Sequence, residues 1–198
     1  MTFIETVPEE GAPPGVAAMY ETDRATLGGG QVPNLTRAFS PRPGVYAAWR
    51  KLNGEIKAGM DLRRYELATL AAARRLRSAY CALAHGSVLL QNFLEPAALR
   101  AVAEDHRTAG LDEVDVAVMD LADKVADDAT SVGEEDIERL RSLGLSDSDI
   151  FDVVAAAAAR CFFSKMLDGL GAQPDARYAE LEPELRGALT VGRPFDDP

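Results

Sequence analysis

The chain has 198 residues, 47% of them hydrophobic and 27% charged, a balance that allows one domain, or two closely packed halves, with a full apolar core. Its net charge of −11 argues against nucleic acid as a partner, because phosphate binding needs a basic footprint. No apolar run approaches the roughly 20 residues that a bilayer crossing needs.

In chain order, "MTFIETVPEEGAPPG" shows neither a basic start nor an apolar stretch of the export-signal type, and residues 1–15 read as an extended arm. "GVAAMYETDRATL" predicts a helix ended by Gly28–Gly30, a turn that lacks the Gly-Lys-Ser/Thr ending of a phosphate loop. "PRPGVYAAWRKLNGEIKAG" predicts a helix opened by Pro43 and closed by Gly59, with Val45, Trp49 and Leu52 on its inward stripe. Helical periodicity then runs almost unbroken. "DLRRYELATLAAARRL" opens on Asp61 and turns Leu62, Leu67, Leu70 and Ala71 inward. "SAYCALAHGSVLLQNF" follows, then "EPAALRAVAEDHRTAG" with Pro96 in its first turn, and "DEVDVAVMDLADKVADD". "SVGEEDIERLRSLG" suggests a capping box of Ser131 with Glu134, and Ser146 caps the long "SDSDIFDVVAAAAARCFFSKMLDGLG". These last two outline a helix–turn–helix, but the second opens on carboxylates that would repel phosphate.

No alternating strand appears, so the fold class is all-α: one domain over residues 16–190, with 191–198 as a tail. A shift of 85 residues lays 61–78 on 146–163, with Arg75 on Arg160. If this echo is a degenerate repeat, Phe151, Met166 and Leu170 fill with core the places of Glu66, Cys81 and His85.

Two cysteines, 81 and 161, and two histidines, 85 and 106, are the whole stock of such side chains. A pair so far apart is no disulfide framework, and a reducing cytoplasm is the simplest location. Ser78, Cys81 and His85 are spaced i, i+3, i+7 and share one helix face. Ser78 as N-cap would place the thiol in the first helical turn, where the dipole and unpaired N–H groups favour a thiolate. Glu66 is the natural third member, but one continuous helix would hold it about 22 Å from Cys81. The two meet if the chain breaks near Arg77–Ser78 and folds back. Taken singly, each residue has a structural explanation: a buried small hydrophobe, a capping imidazole, a solvated carboxylate. Cys161 reads as core packing, His106 as exposed, and Tyr46 and Trp49 as aromatic packing.

Glu66, eleven residues, Ser78-Ala-Tyr80-Cys81, three residues, His85 resembles the Glu, Cys-x-x-Cys, His motif of the alkylhydroperoxidase D-like, carboxymuconolactone decarboxylase superfamily. The likeness extends over roughly residues 30 to 175 and is greatest to the peroxidase-related branch, where Ser commonly replaces the first Cys. It implies an all-α subunit in a homo-oligomer, a dimer, trimer or hexamer. It also implies Cys81 as the peroxide-reactive thiol, Glu66 and His85 as proton relay, a small hydroperoxide substrate and an external thiol reductant. Neither cofactor nor metal is implied. Ser78 stands where the resolving Cys belongs, and an oxygen cannot close a disulfide; Cys161 could serve if the fold brought it near. Tyr80 replaces a histidine and offers a hydrogen bond but a poor base.

Three further readings stand beside the peroxidase. A lyase or isomerase would use Glu66 and His85 as acid and base, with Arg63 or Arg77 receiving an anionic substrate. A helical oligomer could merely sense oxidation through Cys81. A metal site of Cys81, His85 and Glu66 would be one ligand short of a closed zinc site.

Overall fold

Proline and short polar caps decide where the helices begin. The computed structural model describes residues 2–27 and 29–194; Met1, Gly28 of the triple-glycine turn and 195–198 of the tail lie outside the described residues. Helices α1 (Pro14–Thr26), α3 (Pro43–Ala58), α6 (Pro96–Asp105) and α10 (Pro183–Leu189) each open on a proline, whose missing N–H has no intrahelical partner to lose. Asp61 caps α4 (Leu62–Arg75), Asp112 caps α7 (Glu113–Asp128) and Ser146 caps α9 (Asp147–Gly169), each accepting from a backbone N–H three residues on. The remaining helices are α2 (Asn34–Phe39), α5 (Ala79–Asn92) and α8 (Glu134–Ser142). Among the described residues there is no strand, only an isolated bridge between Ser78 and Gly192, and no helix is long and apolar enough to cross a membrane.

Helix α4 is the axis of the bundle and packs on α5, α7 and α9. Its run Leu67–Ala73 is buried almost without interruption, and the alanines let neighbouring helices approach closely. Helix α3 lies on α9 through Trp49, whose ring stacks on Phe163 at 4.6 Å. Helix α10 packs on α5 and α6, with Leu189 filling the space that a side chain at Gly86 would take. Asp23 of α1 is fully buried and ties three elements together: it accepts from Thr36 at 2.7 Å and Tyr46 at 2.6 Å, and pairs with Arg50. The N-terminal arm lies on this body. Phe3 N–H donates to the Leu170 carbonyl, Val7 N–H donates to Ser40 Oγ, and Glu9 pairs with Arg24 and Arg37.

Several expectations are corrected. The buried stripe of α3 is Tyr46, Trp49 and Ile56, whereas Leu52 is 54% exposed. Leu62 stands at the first position of α4, before that helix enters the core, and is also exposed. Helix α8 starts two residues later than a Ser131 box would have it. Asp136, not Glu134, takes the free N–H of Gly133 at 2.8 Å, and Ser131 instead donates to the Asp128 carbonyl. His106 is largely buried, with Nε2 2.9 Å from Asp120. Where the first half of the suspected repeat bends, α9 runs straight through, and Phe151 is 70% exposed rather than core.

Candidate active site

The site depends on a bend that ends α4 and starts α5. Arg77 adopts a left-handed backbone conformation, φ 57°, a position where glycine is usual. Its N–H reaches the Arg74 carbonyl at 3.0 Å, and the Ser78 N–H reaches back to Ala73 at 2.9 Å. Together these satisfy the orphan carbonyls of α4 in the Schellman pattern. The C-terminal segment braces the bend, since Gly192 lies so close that a Cβ there would stand 2.1 Å from the Arg77 carbonyl oxygen. Helix α5 therefore folds back along α4, and Glu66, Cys81 and His85 line one cavity of about 770 Å³.

Glu66 is buried on α4 and receives two partners, His85 Nδ1 at 2.6 Å from Oε2 and Lys57 Nζ at 3.2 Å from Oε1. Burial raises the carboxyl's pKa, but His85 and Lys57 outweigh it and hold the group below its ordinary value. Burial pushes the His85 imidazole down, and the Arg160 charge pushes the same way, against the pull of Glu66. At neutral pH the pair is therefore a carboxylate beside a neutral imidazole. That fixes the tautomer: Nδ1 carries the proton and donates it to Glu66, leaving the Nε2 lone pair free.

Cys81 is buried in the first turn of α5, and both cysteines are free thiols. Its sulfur lies 3.9 Å from Nη1 of Arg160, which arrives from α9. Arg160 also donates to Tyr65 Oη at 3.4 Å, and its guanidinium lies 5.6 Å from the Trp49 ring and 5.5 Å from the Phe163 ring. Burial lowers its pKa, yet Cys81 and Tyr65 more than compensate and keep it cationic. Taking such an ion out of water costs several kcal/mol. The two aromatic faces return about 0.5–2 kcal/mol each.

The other candidates sit differently. Ser78 is the N-cap residue of α5 but makes no cap bond; its buried hydroxyl faces Asp168, where it lowers a carboxyl that burial raises. It does not line the cavity. The Tyr80 ring does, but its hydroxyl donates to Asp175 at 2.7 Å and accepts from the Leu35 N–H at 3.1 Å. Burial, reinforced by the Asp175 charge, drives that phenol well above its ordinary pKa, so its donor is spent on structure. Cys161 follows Arg160 by one residue and so points about 100° away around α9; it is half-buried rather than core, and burial pushes its thiol up. Arg63 pairs with Asp115, and neither it nor Arg77 lines the cavity. Among the described residues no three His, Cys, Asp or Glu side chains converge as metal ligands.

Sequence reasoning missed Lys57, Tyr65 and above all Arg160. One signal for Arg160 was present: a single charge inside the apolar tract "VVAAAAARCFF".

No family model matches the chain, and no curated protein does. Solved structures do. The AhpD core of an uncharacterized peroxidase-related protein from Ralstonia eutropha JMP134 superposes with a TM-score of 0.81 at 23% identity, over 89% of this chain and 94% of that one. An uncharacterized peroxidase-related protein from Silicibacter sp. TM1040 gives 0.80 at 23% identity, over 90% and 94%. A cysteine-to-alanine variant of the debrominase Bmp8, in complex with 2,3,4-tribromopyrrole, gives 0.73 at 14% identity, over 96% of each chain. The chain thus has the alkylhydroperoxidase D-like helical fold.

Proposed function

We propose that the chain is a thiol-dependent peroxidase in which Cys81 is oxidised by a small hydroperoxide, with His85 and Glu66 as proton relay. The observation that carries this reading is the 2.6 Å contact of His85 Nδ1 with Glu66, which leaves Nε2 free in a cavity shared with the Cys81 thiol. Nε2 takes the thiol proton, and the thiolate attacks the terminal oxygen of the hydroperoxide. The O–O bond breaks, Cys81 becomes a sulfenic acid, and the departing alkoxide takes the proton back from Nε2. The imidazole ends as it began. An external thiol then condenses with the sulfenic acid, releasing water, and a second thiol frees Cys81 as the external disulfide forms. Ser78 cannot resolve the intermediate, and the half-buried Cys161 on another face of α9 is not needed for it. A homo-oligomer and a cytoplasmic location belong to the same reading.

The test is consumption of cumene hydroperoxide with dithiothreitol supplied. Cys81→Ser falls to the uncatalysed rate if the reading holds, and unchanged turnover overturns it.

A second reading follows from Arg160, a buried cation beside the Glu66–His85 pair. A lyase or isomerase would seat a substrate carboxylate there and use the imidazole as base, with the sulfur incidental. The debrominase neighbour supports the idea that this fold carries more than one chemistry. Turnover of a lactone acid at equal rates by wild type and Cys81→Ser would favour this alternative.

A further inference from the structure

Four cationic side chains line the cavity: Arg50, Lys57, Arg160 and Arg177. Three have carboxylate partners, Arg50 with Asp23, Lys57 with Glu66 at 3.2 Å and Arg177 with Asp175 at 3.7 Å. Arg160 has none. Among the described residues no carboxylate oxygen comes within 4.0 Å of its guanidinium, and its Nε lacks any hydrogen-bond partner. Yet it is the one of the four that is buried, only 4% exposed. The Cys81 sulfur is its one contact that can carry a full negative charge, so while that thiol is protonated the buried cation has no carboxylate in contact and gains when an anion arrives.

The walls state what kind of anion. Trp49 and Phe163 stack at 4.6 Å beneath the guanidinium, Tyr65 stands beside it, and a volume of about 770 Å³ holds a ring-sized molecule. We propose that Arg160, Trp49 and Phe163 form a binding subsite for a small planar organic anion of the aryl-carboxylate type. The carboxylate accepts from the guanidinium, and the ring packs among the aromatic side chains. With Cys81 Sγ 3.9 Å from Nη1, an anion seated there covers the sulfur. The subsite goes beyond the peroxidase reading, because it requires no reaction at Cys81.

Trp49 is the sole tryptophan, so intrinsic fluorescence reports this subsite directly. Wild-type protein is titrated with benzoate and with benzamide, the same shape without the charge. Benzoate is expected to change Trp49 emission saturably and to bind at least about tenfold more tightly than benzamide, the value of one charge-assisted hydrogen bond. Arg160→Met loses that preference, Arg160→Lys keeps part of it, and Cys161→Ser, which does not line the cavity, keeps all of it. Bound benzoate also slows alkylation of Cys81 by iodoacetamide. Should Arg160→Met fail to fold, the benzoate preference and its reduction in Arg160→Lys decide the question. Equal binding of benzoate and benzamide, absence of saturable binding, or full benzoate affinity in a folded Arg160→Met overturns the subsite. An inert Cys81 would sink the peroxidase reading and leave these binding results standing.

Discussion

His85 Nδ1 lies 2.6 Å from Glu66 Oε2 across the bend between two helices, although the residues are 19 positions apart. The contact does two things: it orients the ring, and it assigns the proton to Nδ1. Replacing Glu66 by Gln removes the charge that does both and takes the carboxylate counter-ion from Lys57. Oxidation of Cys81 by cumene hydroperoxide is expected to slow about 10- to 100-fold, the usual effect of losing a group that orients a reactive side chain. His85→Gln removes the proposed base and is expected to slow it about 100-fold or more. Stopped-flow measurement of sulfenic acid formation separates the two.

Acid should weaken the fold in one continuous slope. Burial depresses the folded-state pKa of His85, so below the ordinary imidazole value of 6.5 the unfolded chain takes up a proton that the folded chain refuses, and stability falls. Glu66 is also depressed, by His85 and Lys57 against the opposing effect of burial. Its contribution is present above the ordinary carboxyl value of 4.5 and is lost as pH falls further through the folded value. Urea melts between neutral pH and the carboxylate range should show this loss. In His85→Gln the upper part of the slope should flatten, and an unchanged slope would place the titrating group elsewhere.

The bend itself is strained. A non-glycine residue in the left-handed region costs roughly 1 kcal/mol, so Arg77→Gly should stabilise by up to about that amount. Gly192→Ala should do the reverse: its φ is +76°, and a methyl there would collide with the Arg77 carbonyl. A loss of about 1–3 kcal/mol is expected, with slower Cys81 oxidation as α5 loosens from α4. Thermal melts and the same stopped-flow assay check both variants.

Tyr80 separates structure from chemistry within one motif. Its hydroxyl joins Asp175 to the Leu35 N–H, so Tyr80→Phe leaves that N–H without its acceptor and Asp175, which keeps the Asn34 N–H, one donor short, and should cost about 1–3 kcal/mol. The rate of Cys81 oxidation at a temperature where the variant is folded should not change. A large fall would return the phenol to the relay.

What the sequence disclosed and what it hid divide along a physical line. The helix starts at Pro43, Asp61, Pro96 and Ser146 are local chemistry, a missing donor or a short acceptor, and they stand where the pattern places them. The meeting of Glu66, Cys81 and His85 was legible because they lie on two successive helices, so one bend is enough to unite them. Arg160 reaches Cys81 from 79 positions away, and no periodicity records a contact of that span. Leu52 and Leu62 show the converse error: an apolar residue at helical spacing faces the core only if another element is there to cover it. The Ser131 box failed because a second acid, Asp136, sits where it can take the Gly133 N–H two residues later.

Peptide mass spectrometry of Cys81 and Cys161 during titration with an organic hydroperoxide tests the central claim most directly. Oxidation should appear first at Cys81, one oxygen per equivalent of peroxide, and should be suppressed in His85→Gln while Cys161 stays reduced. Cys161 oxidised ahead of Cys81, or a Cys81 equally reactive without His85, would contradict it.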